Sequence, residues 1–116
     1  MRPTPRLLQA ALAFTGKGLL QPSALGDAAT YRVPADRRAQ LIYFRAGNSL
    51  DALVCVSLLR DGHLLRYFPI GAQASVHIPL AVIEDLEPES LLEVHLAAPD
   101  RAKGVIILDI GLVEID

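Results

Sequence analysis

Tryptophan is absent from this chain, and only three tyrosines and three phenylalanines stand among its 116 residues. Sugar sites stack their ligands on broad aromatic faces, so a carbohydrate platform has little to be built from. Cysteine is nearly missing as well. Cys55 stands alone, which rules out an intramolecular disulfide, and its apolar mid-strand setting reads as a small buried hydrophobe rather than a nucleophile. No apolar run approaches the ~20 residues of a membrane-spanning helix. Neither sign of charge dominates: eleven Lys and Arg are interspersed with thirteen Asp and Glu, for a formal net charge of -2. Without a basic stripe to neutralise phosphates, nucleic acid is not an expected partner.

Catalytic motifs are missing too. Gly16-Lys17-Gly18 lacks the full P-loop pattern, and Ser23, Ser49 and Ser57 sit in no nucleophile-elbow context. His63, His77 and His95 share no metal-ligand spacing, and the acidic group Glu84, Asp85, Glu87 and Glu89 matches no calcium loop. These absences point away from an enzyme and away from a bound cofactor.

What is present is apolar. Hydrophobic residues make up 52% of the chain and the mean hydropathy is +0.35, high enough for a single small domain to hint at association. Arg2 and Arg6 precede the apolar stretch 7–14, which loosely mimics a signal peptide but holds Gln9 and lacks a clear cleavage site. The expectation is a cytoplasmic protein. Residues 6–14, rich in Ala and Leu and stopped by Gly16, predict a short N-terminal helix, so 1–30 is expected to be a helix or arm followed by a loop.

From Tyr31 onward the pattern is strand after strand, separated by short turns. Roughly seven or eight strands with no long helical connections predict an all-β antiparallel sandwich over residues 31–116. The hairpin from Leu53 to Ile70 is turned by Asp61-Gly62, a type I′ signal because both central positions need positive φ. Both of its strands are apolar on both faces, unlike a half-exposed strand. A regular two-residue turn pairs Val56 with Tyr67, Leu58 with Leu65 and Val54 with Pro69, a face expected to be sandwich core. The opposite face then carries Leu53, Cys55, Leu59, Leu64, Phe68 and Ile70 around the pair Ser57 and Arg66. Apolar area broken by one polar element is the anatomy of an interface, covered by a partner chain or by the N-terminal segment.

Two polar sets remain as candidates. Arg45, Asn48, Arg66 and Tyr67 are the possible ligand-binding residues, for a small anion or a sugar. Asp109 interrupts the longest apolar strand: either it is buried and needs an arginine, hydrogen bonds or calcium, or it faces solvent.

Tyr31-Arg-Val-Pro34, Tyr43-Phe-Arg-Ala-Gly-Asn48, the Arg60-Asp-Gly62 turn and Leu108-Asp-Ile-Gly-Leu-Val-Glu-Ile115 resemble the jelly-roll β-sandwich of carbohydrate-binding modules. That resemblance implies a jelly-roll-like fold and a structural calcium at Asp109, although the N-terminal acidic partner of that family has no counterpart here. Tyr43–Asn48 with Arg66-Tyr-Phe-Pro69 also look similar to small bacterial proteins associated with molybdopterin oxidoreductases, which implies an accessory subunit. The expectation is a non-catalytic sandwich acting through association with itself or a larger protein, with sugar or small-anion binding as the alternative.

Overall fold

The computed structural model describes residues 3–81 and 84–116. Arg2, and residues 82 and 83 of the 81–90 connection, lie outside them. Ten strands follow in order: β1 (Thr4–Thr15), β2 (Gly18–Ala24), β3 (Thr30–Arg32), β4 (Arg38–Asn48), β5 (Val54–Arg60), β6 (His63–Ile70), β7 (Ser75–Pro79), β8 (Asp85–Leu86), β9 (Leu91–Ala98) and β10 (Lys103–Ile115). The helical content among them is a single 3-10 turn at Asp27–Ala29. One sheet runs β1-β10-β4-β7, with β8 beside β4, and the other runs β2-β9-β5-β6, with β3 beside β9. Pairing is antiparallel throughout. β1 pairs with β10, β2 and β3 with β9, β4 with β7, and β5 with β6, so the chain is one long hairpin rolled into two layers. That is a jelly-roll-like layout.

The first 30 residues are therefore no helix or arm. The stretch expected to be helical is β1, paired residue for residue with β10 from Thr4–Glu114 to Thr15–Lys103. The reason lies in β10. A long apolar strand inside a sheet needs backbone partners on both sides, since an unpaired buried N–H or C=O is costly. β4 supplies one side and β1 the other, and this tertiary demand overrides a weak local helix preference. β2 likewise joins the second sheet.

The Asp61-Gly62 turn forms as expected, with φ of 50° and 81° at its two residues. The register beyond it does not continue as expected. Arg60 pairs with His63 and Leu59 with Leu64, but Leu58 then pairs with Arg66, leaving Leu65 as the extra residue of a β-bulge. One inserted residue exchanges the faces of everything that follows. Val54, Val56 and Leu58 face Ile70, Phe68 and Arg66 rather than Pro69, Tyr67 and Leu65. Phe68 and Ile70, expected on the outer face, are core residues at 4% and 0% exposure, whereas Tyr67, expected in the core, is 64% exposed.

The core fills the space between the sheets. Phe68 stacks on Phe44 of the opposite sheet, ring centroids 3.9 Å apart and nearly parallel. Leu41, Leu92, Ile106, Leu108 and Ile110 surround them, fully buried. Replacing Phe68 with Ala is expected to cost about 3–5 kcal/mol, read as a lowered urea midpoint. Leu20→Ser, at an exposed site, is expected to stay within about 0.5 kcal/mol of wild type.

Candidate functional site

The outer face of the β1-β10-β4-β7 sheet carries the most organised polar group. Cross-strand register aligns Gln9, Asp109, Arg45 and His77 in one row, one residue from each of the four strands. Asp109 is its hub. Its carboxylate accepts hydrogen bonds from Tyr43 Oη at 3.1 Å and Gln9 Nε2 at 3.3 Å, and its other oxygen lies 3.4 Å from Arg45 Nη1. The ring of His77 meets the edge of Tyr43, centroids 5.7 Å apart. Burial and the hydrogen bond to Asp109 push the Tyr43 phenol up, so it acts as a donor.

Gly111 makes the arrangement possible. It pairs with Tyr43, and a Cβ there would lie 2.1 Å from the Tyr43 ring. The bare glycine lets that ring lie across β10 and aim its hydroxyl at Asp109.

Rows of small and apolar residues flank the polar one. On one side stand Ala11, Ile107, Gly47 and Ser75, and on the other Leu7, Gly111, Tyr43 and Pro79. Leu7 and Ile107 are 59% and 57% exposed. Beside Gly47, which has no side chain to fill the space, an open groove of about 530 Å³ runs between Arg45, His77 and Asp109 on one wall and Ile107 and Ser75 on the other.

The residues expected to bind a ligand do not converge. Arg45 lies in the groove wall, its guanidinium beside Asp109. Asn48 is buried and donates to the carbonyls of Ala52 and Gly71 while accepting from Leu50 N–H, a clamp that ties the β4–β5 loop to the β6–β7 connection. Arg66 falls on the inward side of β6 after the bulge and pairs with Glu84 at 3.4 Å. Tyr67 is on the outer face of the other sheet, across from Ser57. Asp109 is ringed by donors, and among the described residues no group of three or more His, Cys, Asp or Glu could hold a metal ion.

The expected interface residues are likewise divided. Leu53 and Leu64 are exposed, Cys55 and Leu59 half-buried, and Ser57 is buried between its cross-strand neighbours Tyr67 and His95. Burial raises the Cys55 thiol, which opposes a nucleophilic role.

Glu114 escaped sequence reasoning. It is 1% exposed on the core side of β10, in phase with Ile110 and Leu112, and that phase was the signal that marks it. The Tyr31 hydroxyl donates to its Oε2 from the opposite sheet, and Arg6 of β1 lies 3.2 Å from the same oxygen. Among the described residues its Oε1 has no hydrogen-bond partner. Burial, then the hydrogen bond and negative charge of Glu114, raise the Tyr31 phenol far above its ordinary value. This is a structural tie between the sheets and β1.

No protein-family model matches the sequence, and no curated protein matches it. Solved structures do match. The structure of infectious bursal disease virus Gx strain superposes with a TM-score of 0.56 at 12% identity over 97% of this chain. The VP2 subviral particle of infectious bursal disease virus gives 0.56 at 7% identity over 97%. The insecticidal delta-endotoxin Cry8Ea1 from Bacillus thuringiensis gives 0.53 at 9% over 91%. The likeness is one of fold. This chain spans 32%, 32% and 20% of those chains respectively, so it corresponds to one β-sandwich portion of each.

Two contrasts follow. Glu114→Leu strands the Tyr31 hydroxyl and is expected to cost about 1–3 kcal/mol, whereas Asp109→Asn, at a partly solvated ion pair, is expected to cost less than about 1 kcal/mol; urea titrations compare them. The folded state holds the Tyr31 proton more tightly than the unfolded chain does, so that stabilisation is complete below the unfolded value of about 10 and is lost as pH rises through the folded value. Tyr31→Phe is expected to flatten this alkaline loss, measured as thermal midpoint against pH.

Proposed function

We propose that this chain is a non-catalytic β-sandwich that works by protein association, with the outer face of the β1-β10-β4-β7 sheet as its contact surface. The observation that carries the reading is the polar row Gln9-Asp109-Arg45-His77, set between rows that expose Leu7 and Ile107. Apolar area supplies the drive to associate, and a prearranged polar element fixes where the partner sits. Soluble monomers seldom leave such a face bare. Its place is not the expected one, because the bulge turns Phe68 and Ile70 into the core and so breaks up the hairpin face expected to carry the contact.

A larger protein for which this chain serves as an accessory subunit fits this face well, consistent with the resemblance to oxidoreductase-associated proteins. Sugar or small-anion binding has weaker support, since Arg45 is already engaged by Asp109 and Asn48, Arg66 and Tyr67 lie elsewhere.

Ile107→Asp puts a charge at the centre of the face without touching the core. Recovered from its native source, the tagged wild-type chain is expected to carry a stoichiometric partner that the variant loses at least tenfold. Equal recovery with both chains, or no partner with either, overturns the reading.

A further inference from the structure

Sheet edges present unpaired N–H and C=O groups that template another strand, and proteins guard them with short strands, proline, charge or bulges. Three of the four edges here are guarded. β6 carries a bulge, Arg66 and Pro69. β7 is five residues long and ends in Pro79. β2 contains Pro22 and breaks register between Gly18 and Ser23.

β1 is the exception. Its twelve residues pair with β10 without interruption, Pro5 stands at its very start, and Arg6 is its single charge. Among the described residues, no backbone hydrogen bond of Thr4–Thr15 runs anywhere except to β10. The inward side chains are incompletely covered at the same edge, although the 3-10 turn Asp27–Ala29 comes near β1. Leu8, Leu12 and Phe14 are only half-buried, whereas their neighbours on β10, Ile106, Leu108 and Ile110, are at most 1% exposed. A further strand beside β1 would satisfy the backbone and cover these three side chains together.

We propose that this strand is β1 of a second copy, paired antiparallel about a two-fold axis at Gln9, so that two five-stranded sheets become one. Charge selects the antiparallel arrangement: it sets the two Arg6 side chains at opposite ends, whereas parallel pairing would stack them. Phase selects the axis. Directly opposed residues point to the same face, so a two-fold must pass through a residue position rather than between two. Axes at Gln9 or Ala10 keep the greatest overlap. At Gln9 the two side-chain amides, each both donor and acceptor, face one another and carry the polar row unbroken across both copies. The paired sheets then present one doubled outer face, so the inference rests on the association reading and extends it.

The test uses the full chain. Light scattering over a concentration series is expected to show a dimer, and amide exchange within Thr4–Phe14 is expected to slow at least tenfold as the dimer forms. In a Cys55→Ala background, Gln9→Cys is expected to be captured as a dimer by a short thiol cross-linker. Ala13→Cys is not, because its symmetry mate lies roughly 26 Å away along the strand. A monomer at every concentration, a dimer without slowed β1 exchange, or capture at position 13 instead of 9 each overturns the proposal. Ile107→Asp separates the two readings: it should leave the dimer intact while abolishing partner recovery, so either can fail without the other.

Discussion

The whole fold depends on satisfying both edges of β10. This thirteen-residue strand buries Ile106, Leu108, Ile110 and Leu112 on one side, and its backbone can tolerate no open edge there. β4 closes one edge and β1 the other. Because β1 sits first in the chain and β10 last, meeting that demand rolls the intervening strands into two layers. The Asp109 row, the Glu114 tie and the open edge at β1 are all by-products of where β10 places its neighbours.

A second constraint acts at the hairpin. The turn residues determine how the chain reverses, but the single unpaired Leu65 determines which residues reach the core. It brings Phe68 onto Phe44 and sends Tyr67 outward, so that the outer face of β6 exposes Tyr67 in place of Phe68 and Ile70. The loss of the contact face expected on this hairpin follows from one inserted residue.

The strands from Tyr31 onward, the type I′ turn and the sandwich class were legible because period-two alternation and Asp-Gly chemistry are local signals. The face of β5 was legible too: Val54, Val56 and Leu58 are core as read. The face of β6 was not, since no local pattern distinguishes a bulge at Leu65 from a regular ladder when both faces are apolar. β1 was misread for a related reason. Ala and Leu favour a helix in isolation, and nothing between Arg6 and Phe14 announces that β10 needs a neighbour. The pairing of Tyr43 and Arg45 on one face was visible from their spacing, but their meeting with Gln9 and Asp109 required knowing which strands are adjacent. Glu114 was readable in principle from its phase with Ile110 and Leu112.

The rolled hairpin also bears on how the chain reaches this state. Pairings near Asp61-Gly62 join residues close in sequence, while Thr4 meets Glu114 across almost the entire chain. Loop-closure entropy rises with that separation, and folds dominated by non-local contacts acquire them slowly. Docking β1 is the closure with the greatest entropic cost, and until it occurs the apolar edge of β10 stands open. The tie of Glu114 to Arg6 and Tyr31 sits at this seam, so the attraction it adds joins the segments that are farthest apart in sequence.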